Sequence, residues 1–305
     1  MRILSLSNCP LDDRSGSGYV ALGYARGLRE RGHEVELLGP ADFEPLHRLR
    51  RATGYRQALG MATTSLRRLA ASDYDVVEFW GGEAWLALVS LARRRHRRFL
   101  LVSHSNGLET HCAERMAAAR GTGAVNVRKP WYELDLSRLV AAGFRRADAI
   151  VTVADFDRRY ALDRGYASPD RVLAIDNPLP DEYLSMETDL ERGPVIGYCG
   201  SWLPRKGVDL IARDLPPLLR EFPSWHLVLA GVGDSFEAAR HFPADVLPQI
   251  EVAPFAERSN GLRTLYQRFA IAIAPSVYES FGLVAAEEMA CGCALVAAPV
   301  GFAAG

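Results

Sequence analysis

The chain alternates between short apolar runs and longer stretches whose apolar residues recur at helical spacing. The short runs are hydrophobic at nearly every position, which is typical of parallel strands that are buried on both faces. Strands that alternate with helices along a chain predict a doubly wound α/β architecture. We predict strands at residues 2–7, 34–38, 76–79, 99–103, 149–153, 172–176, 195–199, 226–230, 250–252, 269–274 and 294–298.

Helices are predicted between these strands where apolar residues recur with a period near 3.6. The clearest case is the stretch 18–31, with Leu22, Ala25 and Leu28 on one side and Gly32 at its end. Residues 86–95 are also predicted to be helical. The segment 109–132 shows no clear period and is predicted to be irregular.

An acidic, proline-containing segment without a strand pattern separates the two halves of the chain, at about residues 179–194. Such a composition is typical of a linker. We therefore predict two Rossmann-like domains that face each other across a cleft. The N-terminal domain is placed at 1–180, the linker at 181–194 and the C-terminal domain at 195–305.

Composition and charge narrow the class of protein. The chain has 305 residues, of which 49% are hydrophobic and 24% are charged, as in ordered globular proteins. Its net charge is −1, which gives no indication of nucleic-acid binding. No apolar run approaches the ~18 residues that span a bilayer, and no secretory leader pattern precedes the first strand. We therefore expect a cytoplasmic protein.

A dense basic cluster occupies residues 93–98, at the predicted end of a helix. One interpretation is structural, because cations stabilise the C-terminus of a helix. The alternative is contact with anionic headgroups at a membrane surface, which would place the protein at the inner membrane face. Since no aromatic platform accompanies the arginines, binding of single-stranded nucleic acid is disfavoured.

Two carboxylates, Glu279 and Glu287, flank a predicted strand-to-helix turn in the segment 275–292. The helix is expected to begin near Gly282 and to end at Gly292, where glycine suits a left-handed cap. The first amides of a helix lack internal partners and favour phosphate binding. The turn therefore suits a nucleotide-diphosphate sugar, with the phosphate held by the amides of Phe281, Gly282 and Leu283.

The same segment resembles the E-x7-E motif of retaining GT-B-fold glycosyltransferases, family 4, the glycosyl transferases group 1. The residues that match are Glu279, Phe281, Gly282, Glu287 and Ala290. The resemblance implies a GT-B fold and transfer of a sugar to an acceptor hydroxyl with retention of configuration, in glycan or glycolipid assembly. Relatives continue beyond the end of this chain, so the C-terminal domain is expected to be incomplete. An ordinary amphipathic helix with solvent-facing glutamates is the alternative.

Other segments resemble motifs of the same family. Residues 200–207 are similar to its phosphate-binding G-R-x5-K-G stretch, with Lys206 in the lysine position, Ser201 in place of the arginine, and Arg205 as a substitute cation. The glycine turn at Gly231 is similar to the turn beside the nucleotide. The glycines near residue 15 resemble the N-terminal glycine loop, which implies donor contacts for Gly16 and Gly18.

Residues 16–21 also satisfy the loose dinucleotide fingerprint. The loop after the first strand is too long for that motif, and the acidic residue expected after the second strand is missing. A dinucleotide oxidoreductase is therefore disfavoured.

A histidine follows the fourth predicted strand, at the sheet edge where ligands bind in such folds. His104 matches a histidine that the family places close to the transferred sugar, although a histidine satisfied by backbone partners is the alternative. Acceptor-side candidates are Glu109, His111, Trp80 to Glu83, and Trp131-Tyr132. The base pocket is expected near residues 252–255, and Asn177-Pro178 is expected to serve packing.

The resemblance implies a role for each matched residue. Arg205, Lys206 and the helix amides would stabilise the leaving diphosphate, Glu287 would bind the ribose, and Glu279 and His104 would bind hydroxyls of the sugar. No metal is expected, because no Asp-x-Asp is placed to hold one against the phosphates. No cofactor is expected besides the nucleotide-sugar donor. The expected acceptor is a glycan, a lipid-linked glycan or a small molecule.

Two alternatives within the same fold stay open. A sugar-nucleotide epimerase would use the same diphosphate site, and a non-catalytic nucleotide-sugar-binding pseudoenzyme or fragment would bind the donor without turnover.

Overall fold

The computed structural model describes residues 1–12, 16–44, 52–119, 131–184, 191–253 and 261–305. The described residues form two compact units, Met1–Asp176 and Asn177–Gly305. Each unit contains one sheet in which every strand pair is parallel. The predicted α/β class with two Rossmann-like sheets is confirmed.

Unit 1 has a six-stranded sheet in the order β2-β1-β3-β4-β5-β6. Its elements are β1 Arg2–Ser7, α1 Gly16–Glu30, β2 Glu34–Leu38, α2 Pro40–Phe43, α3 Thr53–Ala71, β3 Val76–Trp80, α4 Trp85–Ala92, β4 Leu100–Ser105, α5 Glu109–Ala119, α6 Trp131–Phe144, β5 Ala149–Thr152, α7 Asp155–Asp163 and β6 Val172–Ala174.

Unit 2 has a five-stranded sheet in the order β11-β10-β7-β8-β9. Its elements are α8 Asp181–Leu184, β7 Val195–Cys199, α9 Val208–Glu221, β8 His226–Ala230, β9 Ile250–Val252, α10 Gly261–Tyr266, β10 Ile271–Ala274, α11 Leu283–Ala290 and β11 Ala294–Ala297. The predicted linker 181–194 therefore contains the short helix α8, and its residues 185–190 lie outside the described part of the chain.

The strand predictions are confirmed, with boundary shifts of one or two residues. The prediction of an irregular segment at 109–132 is wrong for residues 109–119, which form α5. Good helix formers, mainly alanine and glutamate, support α5 although its apolar period is weak.

The face predicted for α1 is also partly wrong, since Leu22 is 37% exposed while Val20, Ala21 and Ala25 are buried.

The hydrophobic run of β8 shows why the strands are apolar at every position. Leu227 and Leu229 pack into one core cluster with Ile211 of α9. Val228 belongs to a different cluster, which contains Phe269. Successive side chains of a strand point to opposite faces of the sheet. Both faces of this sheet are therefore covered, as predicted.

In the ranges that the structure describes, no helix combines the length and the hydrophobicity that crossing a membrane requires.

We predict that Gly197→Ala destabilises unit 2. A Cβ atom at Gly197, in β7, would lie 2.0 Å from the ring of Phe269. Overpacking of this kind costs about 1–3 kcal/mol of the free energy of unfolding. Denaturant unfolding measures the loss. Gly193→Ala is the matched control, because its added Cβ meets no atom within 4 Å. Equal stability of the two variants would contradict the packing described here.

Candidate active site

Two loops at the carboxyl ends of the neighbouring strands β7 and β10 are held together by backbone contacts. The carbonyl of Arg205 accepts a hydrogen bond of 2.9 Å from the amide of Val277. Gly207 has a φ of +70°, and a Cβ there would lie 2.0 Å from the carbonyl oxygen of Pro275. Only glycine satisfies both the positive φ and the close approach. The two loops therefore have a fixed relative position.

These loops bring Lys206 and Glu279 into direct contact. Nζ of Lys206 donates a hydrogen bond of 2.5 Å to Oε1 of Glu279, and Oγ of Ser276 donates one of 2.8 Å to the same oxygen. The two charged side chains are 18% and 19% exposed. Arg205 is exposed, and its guanidinium forms no hydrogen bond or ion pair with the residues that the structure describes. An ion pair and a second cation therefore share one edge of the sheet.

The helix predicted after Glu279 is present as α11. Gly282 precedes it with a φ of +97°, and Gly292 follows it with a φ of +82°. No described residue accepts a hydrogen bond from the amides of Phe281 and Gly282. The first N–H groups of α11, beginning with Leu283, also lack intrahelical partners. These amides lie in the turn that also carries Glu279.

Contacts after β11 fix the backbone of this turn. The amide of Phe302 donates a hydrogen bond of 2.9 Å to the carbonyl of Phe281. A Cβ on Gly301 would lie 2.2 Å from the same carbonyl oxygen. The turn before α11 is therefore held at the carbonyl of Phe281.

Glu287 and its neighbour Glu288 are both buried in unit 2, at 0% and 1% exposure. The alternative of solvent-facing glutamates on this helix is therefore wrong for both. The hydroxyl of Tyr266 donates a hydrogen bond of 3.2 Å to Oε2 of Glu287. Burial, and then the charge of Glu287, raise the pKa of Glu288 well above its usual value. Nothing in the sequence pattern distinguished Glu288 as buried.

The glycine turn after β8 contacts the loop after β7. The amide of Gly200 donates a hydrogen bond of 2.9 Å to Ala230, and Gly231 has a φ of +67°. Ser201, which stands in the position of the family's arginine, is exposed. In the region expected to bind the base, Val252 is 41% exposed. Residues 254 and 255 of that region lie outside the described part of the chain.

In unit 1, His104 is the last residue but one of β4 and is 2% exposed. Its ring stacks on that of Trp80, with centroids 3.6 Å apart, and meets the ring of Tyr24 edge-on at 4.8 Å. Nδ1 of His104 lies 2.9 Å from Oε1 of Glu78. Trp80, predicted as a wall of the acceptor site, is 1% exposed, about as buried as His104.

Glu78 is a site residue that the motif analysis missed. Its Oε2 accepts hydrogen bonds from Oγ of Ser5 at 2.7 Å and from Nε1 of Trp80 at 3.2 Å. Burial alone would raise the pKa of Glu78, but the hydrogen bond from His104, the charge of that ring when it is protonated, and the other two donors hold it below its usual value. The signal in the sequence was a single carboxylate within an otherwise apolar strand.

The two N-terminal glycines lie in the first turn of α1. Gly16 is exposed, with no atom near its Cα on the side where a Cβ would be, and Gly18 is buried. Nδ2 of Asn106, in the loop after β4, lies 3.4 Å from the carbonyl oxygen of Ser17. The start of α1 therefore contacts the loop that follows His104. Residues 13–15 lie outside the described ranges.

Glu109, at the start of α5, forms part of a half-buried acidic pair with Glu83. Its Oε1 accepts a hydrogen bond of 2.8 Å from the amide of Gly82, and Oε2 is buried without a described partner. Nδ2 of Asn8 donates one of 2.7 Å to Glu83. A cavity of about 70 Å³ adjoins the two carboxylates. Burial, followed by the charge of Glu83, raises the pKa of Glu109 to about 8.

His111 lies at a groove between α5 and α7. Its Nδ1 lies 2.7 Å from Oδ1 of the buried Asp157, and its ring stacks on Tyr160 at a centroid distance of 4.2 Å. The groove has a volume of about 450 Å³ and presents both aromatic and charged groups to a ligand. Its other lining residues are Glu114, Arg115, Ala118, Asp163 and Arg164. The side chains of Trp131 and Tyr132 lie outside the described part.

An Asp-x-Asp sequence does occur in the first turn of α7, at Asp155 and Asp157. Asp157 is fully buried against His111, and Asp155 is paired with Arg158 and Arg159. Within the described ranges, no group of three or more His, Cys, Asp or Glu side chains is arranged to hold a metal ion.

Family models match nearly the whole of the chain. Residues 14–183 match the model described as Glycosyltransferase Family 4, which is more than half of the chain. Residues 193–305 match the model described as Glycosyl transferases group 1. The chain belongs to glycosyltransferase family 4. The family predicted from the motifs is thereby confirmed.

One curated relative of the chain is the D-inositol 3-phosphate glycosyltransferase of Kineococcus radiotolerans. It is 33% identical over 180 residues, which cover 51% of the chain and 40% of the relative. The chain matches about two fifths of the length of curated relatives such as this one.

Solved structures share the fold of the family 4 chain at low sequence identity. Sucrose-phosphate synthase from Thermosynechococcus elongatus has a TM-score of 0.73 and 15% identity, and the match covers 99% of this chain and 82% of that one. Starch Synthase IV from Arabidopsis thaliana, bound to ADP and acarbose, has a TM-score of 0.67 and 13% identity, with 98% and 83% covered. These matches and the two parallel sheets confirm the predicted GT-B fold class.

We predict that the carboxyl group of Glu109 makes the free energy of unfolding decrease as the pH rises. Its folded pKa of about 8 lies above the ordinary value of 4.5. The wild type therefore loses stability between about pH 4.5 and about pH 8, where only the unfolded carboxyl releases its proton. Glu109→Gln keeps an acceptor for Gly82 and cannot ionise. Its stability relative to the wild type should rise by on the order of a few kcal/mol across that range.

Denaturant unfolding at about pH 5 and about pH 8.5 measures this difference between the Glu109→Gln variant and the wild type. Glu34→Gln serves as the control, because the side chain of Glu34 is 75% exposed. Parallel pH dependences of the wild type and Glu109→Gln would show that Glu109 is ionised in the folded protein and would contradict its assignment.

Proposed function

We propose that this family 4 chain is a retaining glycosyltransferase that moves a sugar from a nucleotide-diphosphate sugar to an acceptor hydroxyl, in glycan or glycolipid assembly. The observation that carries the proposal is the contact of Lys206 with Glu279, beside the amides of Phe281 and Gly282. These groups combine cations, N–H donors and a carboxylate at one edge of a sheet, where ligands bind in open α/β folds.

The diphosphate of the donor is assigned to Lys206, Arg205 and the amides at the start of α11. Charge-assisted hydrogen bonds to phosphate are stronger than neutral ones. Donors of this kind, fixed in place before the reaction, stabilise the charge that develops on a leaving group. Starch Synthase IV, which shares the fold, is bound to ADP. That ligand supports a nucleoside diphosphate as the leaving group.

The sugar is assigned to Glu279 and His104, and the ribose to Glu287. In the structure Glu279 neutralises Lys206. A diphosphate that takes over Lys206 would leave the carboxylate of Glu279 available to sugar hydroxyls. Engagement of the phosphate and orientation of the sugar would then be coupled. The amides near Gly231 and the glycines Gly16 and Gly18 are proposed as further donor contacts.

The acceptor is assigned to unit 1, and we propose the groove beside His111 as a subsite. The stacked rings of His111 and Tyr160 present an aromatic surface, and charged side chains surround it. Sugars pack their apolar faces on aromatic rings while their hydroxyls bind polar groups. A glycan, lipid-linked or small-molecule acceptor fits this combination. Glu109 is a second acceptor-side candidate.

We further propose that transfer requires neither a metal nor a cofactor besides the donor. For the location we propose the cytoplasm, with peripheral contact to an anionic membrane. The support for membrane contact is that Arg93, Arg94, Arg95 and Arg98 are exposed and form no described ion pair, whereas Arg97 pairs with Asp148.

The function is tested by incubating the protein with a panel of nucleotide sugars and measuring free nucleoside diphosphate, with thermal-shift binding in parallel. We expect release from one donor, an unchanged rate in EDTA, and a product that retains the anomeric configuration. Binding without release with any acceptor would instead indicate a non-catalytic binding module. An epimerised nucleotide sugar formed without acceptor would indicate an epimerase.

We predict that Lys206→Ala lowers the rate of nucleoside diphosphate release by about 100-fold or more, since it removes a charge at the leaving group. Glu279→Ala should abolish transfer as well. Thermal unfolding should show that both variants keep the fold, because the pair is partly exposed. Arg220→Ala, which removes a cation paired with Asp245 on the surface, is the control. Release at the wild-type rate by Lys206→Ala would contradict the site assignment.

A further inference from the structure

The imidazole of His104 is held by contacts on several sides. Trp80 covers one face of the ring at 3.6 Å, with an angle of 16° between the planes. Tyr24 of α1 meets the ring edge-on, at 89°. Oε1 of Glu78 lies 2.9 Å from Nδ1. The ring therefore has one defined orientation, with Nε2 as its remaining polar atom.

The chemistry of Glu78 decides which nitrogen of His104 carries the proton. An ionised carboxylate can only accept hydrogen bonds, so Nδ1 must be protonated to donate to Oε1. Two donors, the hydroxyl of Ser5 and the indole N–H of Trp80, face the other oxygen and favour the ionised state. In the neutral ring Nε2 then carries a lone pair and is a hydrogen-bond acceptor.

Nε2 of His104 has no partner within unit 1 as described. The atom is buried, and no described residue forms a hydrogen bond with it. A buried polar atom without a partner costs free energy, which a ligand that donates a hydrogen bond would recover. A hydroxyl group is such a donor.

We propose that Glu78 is a positioning residue, which holds His104 as the Nδ1–H tautomer and so presents the lone pair of Nε2 to a hydroxyl of the transferred sugar. The identity of that ligand rests on the proposed function. The tautomer rests only on the contacts of Glu78, and can be tested without any substrate.

Glu78→Gln is the decisive variant because it should reverse the tautomer. The amide has one accepting and one donating end. Trp80 Nε1–H can only donate, and with Ser5 it places two donors where Oε2 of Glu78 lies. The carbonyl of the glutamine should take that position and turn its NH₂ towards Nδ1. Nδ1 must then accept, and the proton of the ring moves to Nε2.

The test is ¹⁵N NMR of the histidine rings, with the signal of His104 assigned by its loss in His104→Gln. We expect Nδ1–H in the wild type at about pH 8 and Nε2–H in Glu78→Gln. Ser5→Ala is the control: it removes one donor from Glu78 and an acceptor from the indole N–H of Trp80, but leaves the contact of Glu78 with His104 in place, and should keep Nδ1–H. A wild-type ring protonated at Nε2, alone or together with Nδ1, would overturn the proposal without any variant. So would an unchanged tautomer in folded Glu78→Gln.

A second readout connects the tautomer to transfer. With the donor identified by the panel, kcat/KM of Glu78→Gln should fall at least about tenfold, the factor that corresponds to one hydrogen bond of about 1.4 kcal/mol. Ser5→Ala should stay close to the wild type. Wild-type kcat/KM in Glu78→Gln, with the tautomer reversed, would overturn the assignment of Nε2 to the sugar. If the wild type acts on no donor, the proposed function fails while the NMR result still decides the role of Glu78.

Discussion

Burial of parallel strands on both faces is the constraint on which the rest of this structure depends. Side chains along such strands enter one core or the other, as Leu227 and Val228 of β8 do. A charged group there is stable only if it finds hydrogen-bond partners. Most of the candidate chemistry therefore lies at the carboxyl ends of strands and in the loops that follow. Glu78 lies within a strand, and three donors surround it.

Glycines in the loops after the strands allow these loops to pack closely and so fix the site. Gly207 packs against the backbone of Pro275, and Gly301 packs against that of Phe281. Backbone-to-backbone contacts leave these loops little freedom to move, because no flexible side chain lies between the two backbone segments. The loops after β7, β10 and β11 are therefore fixed relative to each other. Lys206 and the turn before α11 occupy defined positions as a result.

Two half-buried carboxylates show how the surroundings decide the charge of a group. Glu78 and Glu109 are both drawn out of water in unit 1. Glu78 receives hydrogen bonds from three side chains, and its pKa is lowered. Glu109 has only backbone donors among the causes of its shift and a second carboxylate nearby, and its pKa is raised to about 8. The same residue type thus serves as a fixed anion in one place and as a neutral acid in the other.

The sequence by itself determined the strands, the helix caps at Gly282 and Gly292, and the family, because these depend on residues that are close together in the chain. It also identified Lys206, Glu279 and His104 by their motifs. It did not determine the exposed side of α1, the helix at 109–119 or the partner of His104. Only the tertiary structure decided these, since the residues that cover a helix or a ring belong to other elements. Glu78 and His104 are 26 residues apart and meet only because β3 and β4 are paired.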